Sequence, residues 1–210
     1  MHQTREIMPK EWPLTRKGKK YVVVPRQRNG IPLLIVLRDM LKLGRTRKEI
    51  KKILNEGNIA VNGKTRKDER FSLLVFDTLA IKKINKNYRI ILSKRKFQAE
   101  EIKEKDALKR ICRINGKKII GKNKIQLNLD NGENILYNEK VRIGDSIVID
   151  LNEKKIIRIL PVQKNAKVFI SVGKHKGEEG IIREIKERIT IIDIDKKNVE
   201  IQTGDFIVIE

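Results

Sequence analysis

The chain has 210 residues and a formal net charge of +22, and 39% of its residues are hydrophobic. Together with 13 glycines, this hydrophobic share reaches the range of globular proteins, which excludes a disordered basic tail. A charge excess of this size is self-repulsive unless a polyanion neutralises it, so nucleic acid is the expected partner. A lone cysteine excludes an internal disulfide, and no apolar run is long enough for a secretory or membrane segment, so we expect a cytoplasmic protein without a membrane partner.

The positive charge is concentrated in the first half of the chain. Residues 1–110 contain 30 Lys and Arg against 12 Asp and Glu, a net charge of +18, whereas residues 111–210 contain 19 against 15, a net charge of +4. Residues 1–32 predict an extended basic arm, in which Trp12 either stacks on nucleic acid or covers an edge of the next module. The candidate phosphate contacts of this arm are Arg16, Lys17, Lys19 and Lys20.

The segment that follows the arm predicts two short helices. Pro32 suits the first helical turn because its φ is fixed, and an apolar stripe at helical spacing follows it. Thr46 and Glu49 predict a capping box, in which the Thr46 hydroxyl accepts from the Glu49 N–H and the Glu49 carboxylate accepts from the Thr46 N–H. Gly57 then ends the second helix by taking a left-handed conformation.

A tight hairpin and a basic surface complete this segment. Ile59 and Val61 alternate as a strand that enters Asn62-Gly63, a pair that tolerates positive φ at both positions. The basic side chains form either a phosphate-binding surface or a solvated lysine face, and the arginine content, the helix cap and the basic hairpin tip favour phosphate binding. The candidate RNA-binding residues are Arg38, Lys42, Arg45, Thr46, Arg47, Lys48, Lys51, Lys52, Asn62, Lys64, Arg66 and Lys67.

The order of these parts resembles the S4 RNA-binding motif. Its features here are a first helix, the sequence T-R-K-E at the start of a second helix, and a V-N-G-K hairpin. The resemblance implies that the second helix and the hairpin contact structured RNA. The motif also occurs in pseudouridine synthases, tyrosyl-tRNA synthetases and a heat-shock RNA-binding protein, so by itself it does not select one function.

Residues 70–161 are predicted to be mostly β-strand. Apolar alternation around Asn85-Lys86-Asn87 predicts a hairpin, whereas residues 97–111, FQAEEIKEKDALKRI, predict one or two helical turns. Short strands with turns between them predict a small central barrel, the turns being Asn115-Gly116, Asn131-Gly132 and Asn152-Glu153. A lysine loop of this unit either extends the RNA footprint or is solvated, and it contains Lys117, Lys118, Lys122 and Lys124.

Residues 162–210 predict another compact β-rich unit. The pattern V-x-I-x-x-G-x-x-K-G-x-x-G-x-I resembles the KOW motif of several ribosomal proteins and transcription elongation factors, which implies a five-stranded SH3-like barrel. We expect the glycines of this turn to take positive φ at positions 173, 177 and 180. They would expose three candidate RNA contacts at the tip, Lys174, His175 and Lys176.

The whole chain resembles the S4e family of small-subunit ribosomal proteins, in its archaeal form. The resemblance depends on the order of P-K-E-W-P-L, R-K-G-K-K, the S4-like segment, Q-L-N-L-D-N-G and the KOW-like unit. It implies an α+β fold in which a small helical RNA-binding module precedes a β-rich central domain and a C-terminal SH3-like (KOW) β-barrel. The implied divisions are an arm at 1–32, an S4-like module with its following β-hairpin at 33–105, a central domain at 106–161 and the barrel at 162–210.

The family resemblance implies a structural constituent of the small ribosomal subunit, with small-subunit rRNA and neighbouring ribosomal proteins as partners and no cofactor, metal or small-molecule substrate. One alternative is a KOW-containing transcription or translation factor that binds transiently. Another is an RNA-modifying enzyme with an appended RNA-binding motif. The enzyme is disfavoured because Asp77, Asp145 and Asp150 lie in strand or turn contexts without a nearby base or nucleophile pattern.

Overall fold

The computed structural model describes residues 3–27, 30–121, 124–186, 189–195 and 197–209. The chain forms two compact units, Met1–Leu108 and Lys109–Glu210. Both units are rich in β-strands, and the longer helical segments lie in the first unit. None of the described helices is long and apolar enough to cross a membrane.

The N-terminal arm folds back on itself instead of extending. Strand β1 (Gln3–Thr4) pairs antiparallel with β2 (Tyr21–Val22). Trp12 is 1% exposed, and its indole N–H donates to the Gly30 carbonyl over 3.1 Å. The prediction of an extended arm is therefore wrong, and of the two roles predicted for Trp12 the structure shows the covering one. Burial of the large Trp12 indole stabilises the folded arm, which its charges alone would not do.

The first helix begins one residue later than predicted. Pro32 belongs to β3 (Ile31–Pro32) and is the N-cap of α1 (Leu33–Ile35), with φ −61° and ψ 138°. The helix continues as a π-helical segment, Val36–Met40, in which the Leu41 N–H donates to the Val36 carbonyl over 2.9 Å. Every residue from position 33 to position 37 is buried, so this helix is the core of the first unit.

The second helix, α2 (Arg47–Asn55), has the predicted capping box with one change. The Thr46 hydroxyl accepts from the Glu49 N–H over 3.3 Å, as predicted. The Glu49 carboxylate reaches one residue further back and accepts from the Arg45 N–H over 2.8 Å, besides accepting from the Thr46 hydroxyl over 2.9 Å. Gly57 follows the helix with φ +75°, which confirms the predicted end.

A five-stranded antiparallel sheet with the order β5-β4-β7-β8-β9 completes the first unit. The Asn62-Gly63 turn is confirmed, with φ of 49° and 73°. The short β6 (Ser72–Leu73) lies outside this sheet and pairs with β3. The strands of the sheet are β4 (Ile59–Val61), β5 (Lys64–Thr65), β7 (Thr78–Ile81), β8 (Lys86–Ser93) and β9 (Lys96–Ile102).

Within residues 97–111, for which the sequence predicts one or two helical turns, a single turn is helical and the residues before it form a strand. Lys94 and Arg95 both take positive φ, 49° and 60°, and form a tight turn that sends the chain back along β8. Phe97 pairs with Leu92 in the sheet, so a tertiary partner decides the conformation of a segment whose local pattern allows a helix. Only α3 (Glu104–Ala107) is helical there.

The second unit begins with a five-stranded sheet of order β12-β11-β10-β13-β14. No turn forms at Asn115-Gly116, because β10 continues through it with a register shift between Ile114 and Gly116. Lys117 and Lys118 are strand residues and Lys124 opens β11, while Lys122 lies outside the described residues. The strands are β10 (Lys109–Gly121), β11 (Lys124–Leu129), β12 (Asn134–Tyr137), β13 (Ser146–Asp150) and β14 (Ile156–Leu160), and the sequence did not predict β12.

A second five-stranded sheet follows, with the order β18-β17-β16-β15-β19. Gly173 and Gly177 both have the predicted positive φ, +89°. Gly180 does not; it lies in a strand where an added Cβ would be 2.5 Å from Ile192 Cγ2 and 2.8 Å from the Asp193 carbonyl oxygen. The strands are β15 (Lys167–Ile170), β16 (Glu179–Ile185), β17 (Ile189–Ile194), β18 (Lys197–Gln202) and β19 (Phe206–Val208).

Replacement of Gly180 by alanine should test whether close approach, and not turn geometry, requires glycine at this position. We expect Gly180→Ala to lower the free energy of unfolding by about 1–3 kcal/mol, because the new methyl group overpacks β17. Gly116→Ala is the matched control, since it also lies in a strand and its Cβ would be 3.6 Å from the nearest atom. Urea denaturation of both variants measures the difference, and equal stabilities would contradict the prediction.

Candidate nucleic-acid interface

Helix α2 separates an apolar face from a basic one. Ile50 and Leu54 are both 0% exposed, whereas every basic residue of the helix is exposed. Residues one turn apart form two neighbouring rows, one with Arg47 and Lys51 and the other with Lys48 and Lys52. Packing of the apolar face therefore fixes the direction in which these four cations point.

The row with Arg47 and Lys51 is occupied by an internal carboxylate. The side chain of Glu69 is only 7% exposed, and its carboxylate accepts from Arg47 Nε over 2.9 Å, while Lys51 Nζ lies 3.6 Å away. The Arg47 hydrogen bond is the main cause that lowers the pKa of Glu69, and the same bond raises the pKa of Arg47. The Glu69 carboxylate therefore partly neutralises these two cations, which the sequence predicted as phosphate contacts.

The row with Lys48 and Lys52 has a different environment. Both side chains are exposed, and neither forms an ion pair with any residue that the structure describes. Arg45, at the start of the helix, is also exposed and acts on the nearby Glu49 carboxylate through its charge, which helps to lower the pKa of Glu49 after the larger effects of the Arg45 N–H and the Thr46 hydroxyl. The row with Lys48 and Lys52 thus keeps both of its positive charges unpaired by any described carboxylate, whereas Arg47 and Lys51 share one carboxylate.

Asn62 points its amide into the protein. Its Nδ2 donates to Asp77 Oδ1 over 2.9 Å, and its Oδ1 accepts from the Thr78 N–H over 2.9 Å. Asp77 is 2% exposed and also accepts from the Leu74 N–H over 2.7 Å. The Asn62 side chain, predicted as an RNA contact, therefore holds the hairpin against β7. Lys64 and Lys67 are exposed cations that follow the turn.

Three further candidates of this segment have internal partners. Arg66 stacks its guanidinium on the Phe71 ring, 4.3 Å from the centroid. Arg38 forms an ion pair with Asp39 over 2.8 Å. The Thr46 hydroxyl is used by the helix cap. Lys42 is exposed and takes φ +54° after the π-helical segment.

The remaining candidates lie on the arm and in the second unit. Arg16, Lys17, Lys19 and Lys20 are all exposed, and the Arg16 guanidinium donates to the Glu6 carbonyl. Lys174 is exposed at the turn after β15, where His175 Nδ1 lies 2.8 Å from Glu178 Oε2 and Lys176 is half-buried. The candidates on α2 and on the hairpin therefore lie together in the first unit. Lys174, His175 and Lys176 lie in the second unit.

Glu69 is the residue of this surface that the sequence analysis missed. It lies 22 residues after Arg47 in the chain, so no helical or strand periodicity connects the two. Its signal would have been an acidic residue inside the otherwise basic run K-T-R-K-D-E-R. In the described ranges, no group of three His, Cys, Asp or Glu side chains is placed to hold a metal ion.

Comparison with known proteins gives consistent matches along the chain. A family model described as "Ribosomal family S4e" matches residues 84–156, and one described as "S4 domain" matches residues 31–79. The chain is 37% identical to small ribosomal subunit protein eS4 of Methanocella arvoryzae over 218 residues, which cover 100% of this chain and 91% of that protein. It is 35% identical to the eS4 protein of Archaeoglobus fulgidus over 191 residues, covering 89% and 80%. The fold matches the crystal structure of 30S ribosomal protein S4e from Thermoplasma acidophilum with a TM-score of 0.74 and 23% identity, covering 85% of this chain and 94% of that one.

Loss of the Asn62 amide should cost stability and not RNA affinity. We expect Asn62→Gly, which keeps positive φ accessible, to lower the free energy of unfolding by about 1–3 kcal/mol because the buried Asp77 loses a donor. Asn62→Ala should cost more, since alanine is strained in this conformation. Denaturant unfolding of both variants measures this effect, and an Asn62→Gly protein as stable as the wild type would show that the amide is not needed inside.

The Glu69 ion pair should make stability depend on acid pH. Because its pKa in the folded state is lowered, Glu69 stabilises the protein fully above the ordinary carboxyl pKa of about 4.3, and this contribution is lost as the pH falls through the lowered folded value. Glu69→Gln should therefore cost about 1–3 kcal/mol at neutral pH, with the difference from wild type narrowing below about pH 4. Unfolding curves across this range test it against Glu100→Gln, an exposed change on β9; a constant difference for Glu69→Gln would contradict the assignment.

Proposed function

This chain belongs to the S4e family of ribosomal proteins, and we propose that it holds small-subunit rRNA through the basic surface of α2 and the hairpin that follows it. It is a structural constituent of the small ribosomal subunit, located in the cytoplasm as part of the ribosome, and it is not an enzyme. Its partners are rRNA and neighbouring ribosomal proteins.

The observation that carries the RNA interface is the exposed, unneutralised row of Lys48 and Lys52 on a helix whose opposite face is buried. Side chains cannot read base edges in the deep, narrow major groove of A-form RNA, so a fixed pattern of cations recognises the duplex through its phosphates and shape. The matched S4 domain contains this helix and the hairpin. Lys64 and Lys67 extend the same chemistry past the hairpin, because Lys64 is exposed on its outgoing strand and Lys67 is exposed just after that strand.

The row with Arg47 and Lys51 has a different role in this proposal. Arg47 and Lys51 share one carboxylate, so the trio retains a single positive charge and a fixed geometry. RNA contact by these two residues would be oriented but weaker than contact by Lys48 and Lys52. Four candidates remain on this surface: Arg38, Lys42, Arg45 and Arg66. Because Asp39 pairs with Arg38 and Phe71 stacks on Arg66, we expect Lys42 and Arg45 to be the more available for phosphate contact.

We propose that the second unit contributes a separate contact through a KOW-type SH3-like barrel. The strand order β18-β17-β16-β15-β19 supports it, because a four-strand meander with the fifth strand beside the first is the arrangement of such barrels. The positive φ of Gly173 and Gly177 supports a tight turn that exposes Lys174, with His175 and Lys176 half-buried beside it. The functional divisions proposed are the arm at 1–32, the S4-like module at 33–105, the central domain at 106–161 and the barrel at 162–210.

Sedimentation of a cell extract through a sucrose gradient after a high-salt wash tests the assignment. An integral ribosomal protein should stay with the small subunit at about one copy per rRNA, because contacts with folded rRNA and with neighbouring proteins hold it in addition to the salt-sensitive phosphate contacts. A transient translation or transcription factor would move to the top of the gradient or appear far below the amount of rRNA. That outcome would overturn the structural role.

Single alanine substitutions on the two rows of α2 should separate them. We expect Lys48→Ala and Lys52→Ala each to weaken binding to many structured RNAs and to reduce the slope of log affinity against log salt by about 1. Lys51→Ala should change the slope by less, because Glu69 already offsets part of its charge.

Filter binding of the full chain to a small-subunit rRNA fragment at several salt concentrations measures these slopes. Lys155→Ala is the control, since Lys155 is paired with Glu153 over 2.9 Å in the second unit. Equal slopes for Lys48→Ala and the control would exclude Lys48 as a phosphate contact.

A further inference from the structure

A basic cleft lies in the first unit between the folded arm and the helices. Its volume is about 530 Å³, which suits one small ligand or one nucleotide and is too small for a duplex. Apolar side chains form part of its wall, among them Val22, Val24, Leu34 and Ile35. Six basic residues line it, and no described acidic residue does; they are Arg5, Lys19, Arg38, Arg45, Arg47 and Arg70.

Most of this positive charge is not cancelled. Arg47 and Arg38 have carboxylate partners, Glu69 and Asp39. Two other arginines are held only by backbone carbonyls: Arg5 Nε donates to Lys19 over 2.9 Å, and Arg70 Nε donates to Val24 over 2.9 Å. A carbonyl dipole orients a guanidinium without neutralising it. Lys19 forms no ion pair with any residue in the described ranges, so the cleft concentrates cations in a partly apolar recess.

An aromatic ring lines the same cleft. Tyr21 is 57% exposed although its backbone is fixed by pairing with Thr4. Lys20 Nζ lies 5.6 Å from the centre of the ring. An exposed aromatic ring next to backbone-oriented cations is the arrangement by which proteins bind single-stranded RNA, with the base stacked on the ring and the phosphate on the cations.

We propose that this cleft binds one unpaired nucleotide of the RNA, with its phosphate against Lys19, Arg5 and Arg70 and its base on Tyr21. The inference rests on the proposed function and adds to it the class of RNA structure that the first unit recognises, a duplex beside an unpaired nucleotide. The arm is then a wall of the binding site and not a tether.

The walls of the cleft are formed before RNA arrives. The Arg5 N–H donates to the Lys20 carbonyl over 2.8 Å and closes the arm on itself. The Arg26 N–H donates to the Arg70 carbonyl over 2.8 Å and fastens the end of the arm to the segment before β6. The buried Trp12 fastens the middle of the arm. A pre-formed site loses little conformational entropy on binding, which favours a short ligand that makes few contacts.

The test compares a short oligouridylate that carries one 2-aminopurine with a labelled RNA hairpin, each titrated with the full chain. For Tyr21→Ala we expect single-strand affinity to fall roughly 10-fold, since stacking on an aromatic ring is worth about that factor, and hairpin affinity to change less than about twofold. Quenching of 2-aminopurine should be lost in Tyr21→Ala and retained in Tyr21→Phe. Lys19→Ala should weaken single-strand binding, whereas Lys10→Ala, which changes an exposed lysine of the same arm that lies outside the cleft and is not a candidate contact, should not.

The outcomes separate the two proposals. Hairpin binding without single-strand binding would overturn the cleft and leave the proposed function standing. Failure of the wild type to bind either RNA would overturn both. Equal losses on both RNAs in Tyr21→Ala, or competition by polyglutamate that is as effective as oligouridylate, would show a general polyanion surface and would overturn the assignment of a nucleotide. Circular dichroism melting of each variant identifies any loss that comes from unfolding.

Discussion

The buried carboxylate of Glu69 is the constraint on which the first unit depends. Its backbone carbonyl accepts from the Leu34 N–H over 3.0 Å at the start of α1, and its side chain binds Arg47 and Lys51 on α2. One residue therefore sets the position of both helices relative to the segment that leads into β6. Removing a carboxylate from water is costly unless charged donors surround it, so the two cations are required where they are. Their use as internal partners determines which cations of α2 remain for RNA.

The use of acidic side chains as internal acceptors also explains how a chain with a net charge of +22 folds. Several acidic groups are used as internal acceptors and do not face the basic surface. Asp77 accepts from the Leu74 N–H and the Asn62 amide, and Asp145 accepts from the N–H groups of Arg142 and Val162. These carboxylates keep their charge, and N–H groups satisfy them inside the protein. The repulsion that remains is relieved when a polyanion binds, which favours the complex over the free protein.

Features governed by neighbours in the chain could be predicted from the sequence. The Thr46 and Glu49 cap, the Gly57 helix end and the Asn62-Gly63 turn each depend on a few consecutive residues, and all three are present. Features governed by distant partners could not. The continuity of β10 through Gly116 depends on its pairing with Asn128 of β11. The candidate site follows the same rule. Local sequence patterns placed Arg47 and Asn62 with the RNA contacts, whereas their partners Glu69 and Asp77 lie further along the chain.

Rigidity is what allows such a surface to discriminate among RNAs. A flexible lysine can reach a phosphate on any polyanion, so a solvated lysine face gives affinity without selection. On α2 the burial of Ile50 and Leu54, the cap at Thr46 and the Glu69 ion pair fix the helix in three independent ways. The backbone positions of the cations are then fixed, and we propose that their spacing selects among RNAs by shape, as in recognition of A-form RNA. Because the protein contributes little ordering cost, the binding free energy reflects how closely the RNA matches that pattern.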